Sequence, residues 1–124
     1  MMKLYLLVAL FGAAGSSLRY FLFNITPKIY YSHFPIGTIT VNLLGSFFIG
    51  LVISLFDKGL VGENLRVAII IGLLGGFTTF STFSMDLYNL INKPLYLQAI
   101  SYLLISVIGG LIFFIVGQKF ANFI

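Results

Sequence analysis

Four hydroxyl side chains in five positions, Thr78, Thr79, Ser81 and Thr82, stand among three phenylalanines spaced three apart, Phe77, Phe80 and Phe83. The stretch reads GLLGGFTTFSTFSMD from Gly72 to Asp86 and lies inside a long apolar segment. Its chemistry is that of holding an ion rather than making bonds. Hydroxyls donate hydrogen bonds, and an aromatic ring has a positive edge that attracts an anion without the trapping of a fixed charge. Weak binding suits conduction, because an ion must leave as well as enter. Phe80 and Phe83 share a helix face at their spacing. In a membrane such rings usually only pack against lipid or core. The hydroxyls between them and the weak helix before them raise the ion-holding reading.

Other residues add to this set. Asn42 lies midway along an apolar segment and offers two donors and one acceptor, either to an ion or as glue between helices. Arg19 also lies within an apolar segment, where a charge is costly and usually functional; it either draws anions into a vestibule or snorkels to the interface beside Tyr20. Tyr102 and Ser106, four apart, share a face and with Thr82 would form a hydroxyl-lined track, unless they serve ordinary helix packing. Asp86 is read as an interfacial charge, or else as one that sits at a pore mouth or pairs with Lys93 or Arg19.

The chain around these residues is 124 long, 60% hydrophobic and 8% charged. Soluble domains carry about 25% charged residues, so this is an integral membrane protein. A span needs about 20 apolar residues. The length therefore holds four helices, placed at 4–25, 36–56, 65–91 and 95–120, as one transmembrane domain. Lys3 followed by an apolar run and GAAGS also has signal-peptide form, but apolar character resumes at Leu18 and completes one full span. The first loop carries Tyr30, Tyr31 and His33, a solvated histidine and no metal site. The third segment is longer than a span requires. Gly75-Gly76 and Thr78-Thr79 both disfavour helix, so this helix breaks near mid-membrane. Irregular backbone at that depth must be buried in protein or line a cavity.

The net charge of +4 comes from scattered residues that suit membrane flanks, not nucleic acid. With no cysteine, one histidine and three acids there is little material for catalysis, so no enzyme is expected. Small residues repeat at Gly72 and Gly76, Gly12 and Ser16, and Ser106 and Gly110, which points to tight helix packing in a bundle or oligomer. With four spans, Lys3, Lys58, Arg66 and Lys119 share one side, against Lys28 and Lys93 on the other, joined by Arg19 if it reaches that interface. The rule that orients membrane proteins counts such residues, and four against three is nearly a tie. Each chain would then insert either way, and opposed copies would pair as an antiparallel homodimer.

Three stretches, GAAGSSLRY at 12–20, GTITVNLLGSFFIG at 37–50 and GLLGGFTTFSTF at 72–83, resemble the CrcB/Fluc family of fluoride channels. The resemblance implies small four-helix proteins of the cell membrane that pair antiparallel, with two narrow pores, and passively export fluoride trapped in the cytoplasm. It implies that Phe80, Phe83, Asn42, Ser81, Thr82, Tyr102, Ser106 and Arg19 belong to the fluoride pathway. It further implies that backbone carbonyls of Gly75 and Thr78 hold a structural Na+ at the dimer centre. Gly110 stands where the family often has a further serine on the polar track. The alternative is a small multidrug-type dual-topology exporter. That class would need an acid in the first helix, and none is present there.

Overall fold

The computed structural model describes residues 1–26 and 34–124, which form helices and no strand. Four helices are long and apolar enough to cross a membrane: α1 (Met2–Ile25), α2 (Ile36–Asp57), α3 (Glu63–Asn92) and α4 (Tyr96–Phe123). Tyr30, Tyr31 and His33 lie outside the described residues.

The connections follow from local chemistry. Helix α2 ends where Gly59 adopts φ 74°. There Leu60 N–H donates to the carbonyl of Leu55 at 3.0 Å and Gly59 N–H to that of Phe56 at 2.8 Å. This paired closure needs a left-handed residue, the conformation glycine adopts most cheaply. Helix α3 then starts at Glu63, whose carboxylate accepts from Arg66 at 2.6 and 2.9 Å. The guanidinium carbon also lies 4.6 Å from the centroid of the Phe56 ring. An acid in the first turn suits the helix dipole, and the pair pins the α2–α3 corner at the edge of the apolar zone.

Helix α3 is bent rather than straight. It widens over Ala68–Leu74, tightens again over Gly75–Phe77, is extended at Thr78 and Thr79, and resumes at Phe80–Asn92. The break expected between Gly75 and Thr79 is thus confined to the two threonines, and Gly75 stays helical at φ −64° and ψ −38°. Gly76 serves packing instead, whereas a Cβ on Gly75 would meet only its own helix, at 3.5 Å. A Cβ on Gly76 would stand 2.6 Å from the carbonyl oxygen of Gly12, and one on Gly15 would stand 2.0 Å from that of Leu73. Helix α1 and the first arm of α3 therefore touch backbone to backbone.

Helices α2 and α4 do the same: a Cβ on Gly50 would lie 2.1 Å from the carbonyl oxygen of Phe114, and one on Gly117 would lie 2.0 Å from that of Phe47. Among lipids, close van der Waals packing is what holds helices together. The small-residue repeats are thus used within the chain. The two helix pairs meet at a core of Ile39, Phe83, Leu90, Ala99 and Tyr102, which brings α2, the second arm of α3 and α4 together below the break.

Candidate functional site

The break is built from three directions. Thr78 sits at φ −80° and ψ 161°, Thr79 at φ −152° and ψ 116°. Thr79 caps the second arm, its Oγ1 accepting from Thr82 N–H at 3.1 Å, the usual device for starting a helix. From α2, Asn42 Oδ1 accepts from Thr79 N–H at 2.8 Å while Asn42 Nδ2 donates to the Thr79 carbonyl at 3.1 Å. One amide side chain thus satisfies both backbone groups of an extended residue, as a neighbouring strand would. From α1, Arg19 Nη1 donates to the Thr78 carbonyl at 3.0 Å.

These bonds redirect two helical donors. In an unbroken helix the N–H of Thr79 would bond the Gly75 carbonyl, and that of Thr82 the Thr78 carbonyl. The first is taken by Asn42 and the second by the Thr79 hydroxyl. The carbonyls of Gly75 and Thr78 are therefore two of the four, from Gly75 to Thr78, that the break deprives of their helical partners; those of Gly76 and Phe77 lose the N–H groups of Phe80 and Ser81. The donor set suits a hard cation, which prefers oxygen ligands. The Thr78 oxygen already accepts from Arg19, leaving its second lone pair. Among the described residues no group of three His, Cys, Asp or Glu side chains could hold a metal.

Beside the break lies an open-sided cavity of about 280 Å³ whose lining includes Asn42, Ser46, Thr79, Phe80, Phe83 and Ser106. Its polar groups are neutral. The Asn42 amide keeps a second N–H beyond the one given to Thr79. Ser106 Oγ is buried with no hydrogen-bond partner, a costly condition unless something else occupies the site. The Phe80 and Phe83 ring centroids are 5.6 Å apart. Phe83 is packed, at 8% exposure, whereas Phe80 is 80% exposed on the open side.

Tyr102 continues the aromatic row, its ring centroid 5.2 Å from that of Phe83, and its edge meets Phe34 at 6.1 Å. Its hydroxyl leaves the cavity and donates to Asp86 Oδ2 at 3.1 Å, which also accepts from Thr38 Oγ1 at 2.7 Å.

The residues singled out by their sequence thus fall into groups. Asn42, Phe80, Phe83 and Ser106 share the cavity wall. Ser81 and Thr82 gather on the Thr79 hydroxyl, at 3.2 and 3.0 Å. Arg19 reaches the break itself, where sequence reading left it between vestibule and interface. Asp86 takes neither Lys93 nor Arg19 as an ion-pair partner among the described residues; its hydrogen-bond partners are Thr38 and Tyr102. Two polar cavity residues, Ser46 and Thr79, were missed as site residues, as were the apolar Ile49 and Val107. For Ser46 the signal was present, since it lies four positions after Asn42 and so on the same helix face.

The family profile described as CrcB-like protein, Camphor Resistance (CrcB), matches residues 6–118. The chain is 44% identical over 123 residues to a fluoride-specific ion channel FluC of Helicobacter acinonychis, with 97% of each chain covered. It is 42% identical to the FluC channel of Helicobacter pylori strain HPAG1 (97% of this chain, 95% of that one). It is also 42% identical to that of Chloroflexus aurantiacus, with 90% of each covered. A profile match over nearly the whole length, with relatives alike over nearly theirs, means that this multi-pass membrane protein belongs to the CrcB-like family.

Proposed function

We propose that the protein is a passive, fluoride-selective channel that lets fluoride leave the cytoplasm. The observation that carries this reading is the cavity at the helix break. There an amide N–H, a buried unpartnered serine and two phenylalanines converge without a fixed charge. A small anion in such a place takes hydrogen bonds from Asn42 and Ser106 and the positive ring edges of Phe80 and Phe83. None of these binds so strongly that the ion cannot move on. Ser81 and Thr82 supply further hydroxyls close to the break, and Tyr102 extends the aromatic row. Arg19 raises the local positive potential and holds the Thr78 carbonyl in place. The relatives named as fluoride-specific channels supply the identity of the ion. In proteoliposomes loaded with fluoride, release is expected once a potassium ionophore relieves the charge, with no proton gradient. Release that required a proton gradient would point to an exchanger instead.

The working unit in this proposal is an antiparallel homodimer. The large exposed ring of Phe80 beside an open-sided cavity supports it. With Arg19 held at the break, the basic residues of the two sides stand at four against two, a weak bias for either orientation. Two added lysines in the 26–35 loop, or two at the C-terminal end, should each bias orientation and remove activity. Co-expression of the two variants should restore it. Full activity of either variant alone, with a topology reporter showing one orientation, would contradict the pairing.

The carbonyls of Gly75 and Thr78, freed by the break, are the groups that would hold a Na+ ion. Two copies of the chain would supply four such oxygens. A bound cation would offset the partial negative charge of the helix end and so support the break from inside. Replacing sodium with a bulky organic cation on both sides should lower the thermal stability of the purified dimer, and readdition of sodium should restore it. Stability indifferent to the exchange would remove the ion from the picture.

A further inference from the structure

Hydroxyl side chains inside apolar helices usually donate to the carbonyl one turn back. Thr40 and Thr78 do so here, to Ile36 and Leu74, each at 2.9 Å, and Ser84 does so to Phe80 at 3.0 Å. Ser46 makes no such bond to its own helix or to α4, nor do Ser16, Ser17, Ser54, Ser101 and Ser106 to theirs among the described residues; what sets Ser46 and Ser106 apart from the rest is that they line the cavity. Ser46 shares the Asn42 face of α2, one turn further on. It also reaches the facing helix: the position a Cβ would take on Gly110 lies 3.5 Å from Ser46 Oγ. Gly110 is itself one turn after Ser106 on α4. Ser46 therefore places an uncommitted hydroxyl level with the turn beyond Ser106, where α4 presents no side chain.

We propose that Ser46 is an ion-contacting residue that extends the row of neutral donors from Asn42 and Ser106 along the α2–α4 wall. It rests on the reading of the cavity as a fluoride pathway. About one turn apart along the wall, Ser46 and Ser106 give a dehydrating anion a second hydroxyl as it leaves the first. The handover then needs no charged side chain and leaves no site deep enough to trap the ion. A Cβ on Gly110 would meet the Ser46 hydroxyl at ordinary contact distance, 3.5 Å, so this turn of α4 has space for a hydroxyl of its own.

The test is fluoride release from proteoliposomes by the full chain and by variants that elute as the unaltered protein does. Ser46→Ala is expected to slow release by about ten-fold or more, the scale of one hydrogen bond to a charged group. Two changes should restore the rate: Ser46→Thr, which keeps the hydroxyl in place, and Gly110→Ser added to Ser46→Ala, which supplies one from the facing helix. A Ser46→Ala protein that releases fluoride at the full rate would overturn the assignment while leaving the channel reading intact. So would a slow Ser46→Ala protein that neither change repairs, because packing and not the hydroxyl would then be at stake. Failure of the unaltered chain to release fluoride at all would remove the channel reading and this assignment with it.

Discussion

Asn42→Asp should abolish fluoride transport, a loss of about 100-fold or more, in protein that still assembles. Asparagine holds both backbone groups of Thr79, at 2.8 and 3.1 Å. Aspartate can still accept from the Thr79 N–H, but its second oxygen would face the Thr79 carbonyl where an N–H now donates. It would also present a negative charge to an anion entering the cavity that Asn42 lines. Two like charges about 4 Å apart repel by about 4 kcal/mol near a protein surface, and each 1.4 kcal/mol is about ten-fold. Flux assays with folded variant at neutral pH check this. Undiminished flux would place Asn42 outside the pathway and leave it only the role of bracing Thr79.

Phe80→Ile and Phe83→Ile should each lower fluoride flux by about ten-fold or more. Isoleucine fills similar volume but has no positive ring edge. Ring geometry contributes about 0.5–1.5 kcal/mol per aromatic pair beyond area, and Phe83 sits between two ring neighbours, Phe80 and Tyr102. The two variants should differ in a second respect. Phe83 is packed in the core while Phe80 is 80% exposed, so only Phe83→Ile should also lower the thermal stability of the single chain's fold. A folded Phe80→Ile protein that conducts at the normal rate would show that this ring merely packs.

The four spans and the break in the third were legible because length, hydropathy and threonine chemistry are local properties. The reason for the break was only half legible. Gly75-Gly76 looked like helix breakers, yet Gly75 is helical and the Cβ that Gly76 lacks would strike Gly12 of another helix. What places the break at Thr78 and Thr79 is an amide 37 residues away and a guanidinium 59 residues away. No local pattern carries such partners. The same holds for Asp86, whose carboxylate looked interfacial but receives hydroxyls from Thr38 on α2 and Tyr102 on α4. Asn42, Phe80, Phe83 and Ser106 could be named in advance because polar or aromatic residues at helical spacing stand out in an apolar chain. Ser46 was overlooked because one serine beside a glycine looks like packing until the facing helix is in view.

The most direct measurement is the reversal potential of the current that the purified protein carries across a planar bilayer with a fluoride gradient. A passive fluoride channel gives a current that reverses at the fluoride equilibrium potential and stays there when chloride is added to either side. A reversal that follows chloride or protons, or no current from protein that is folded and inserted, would contradict the proposed function.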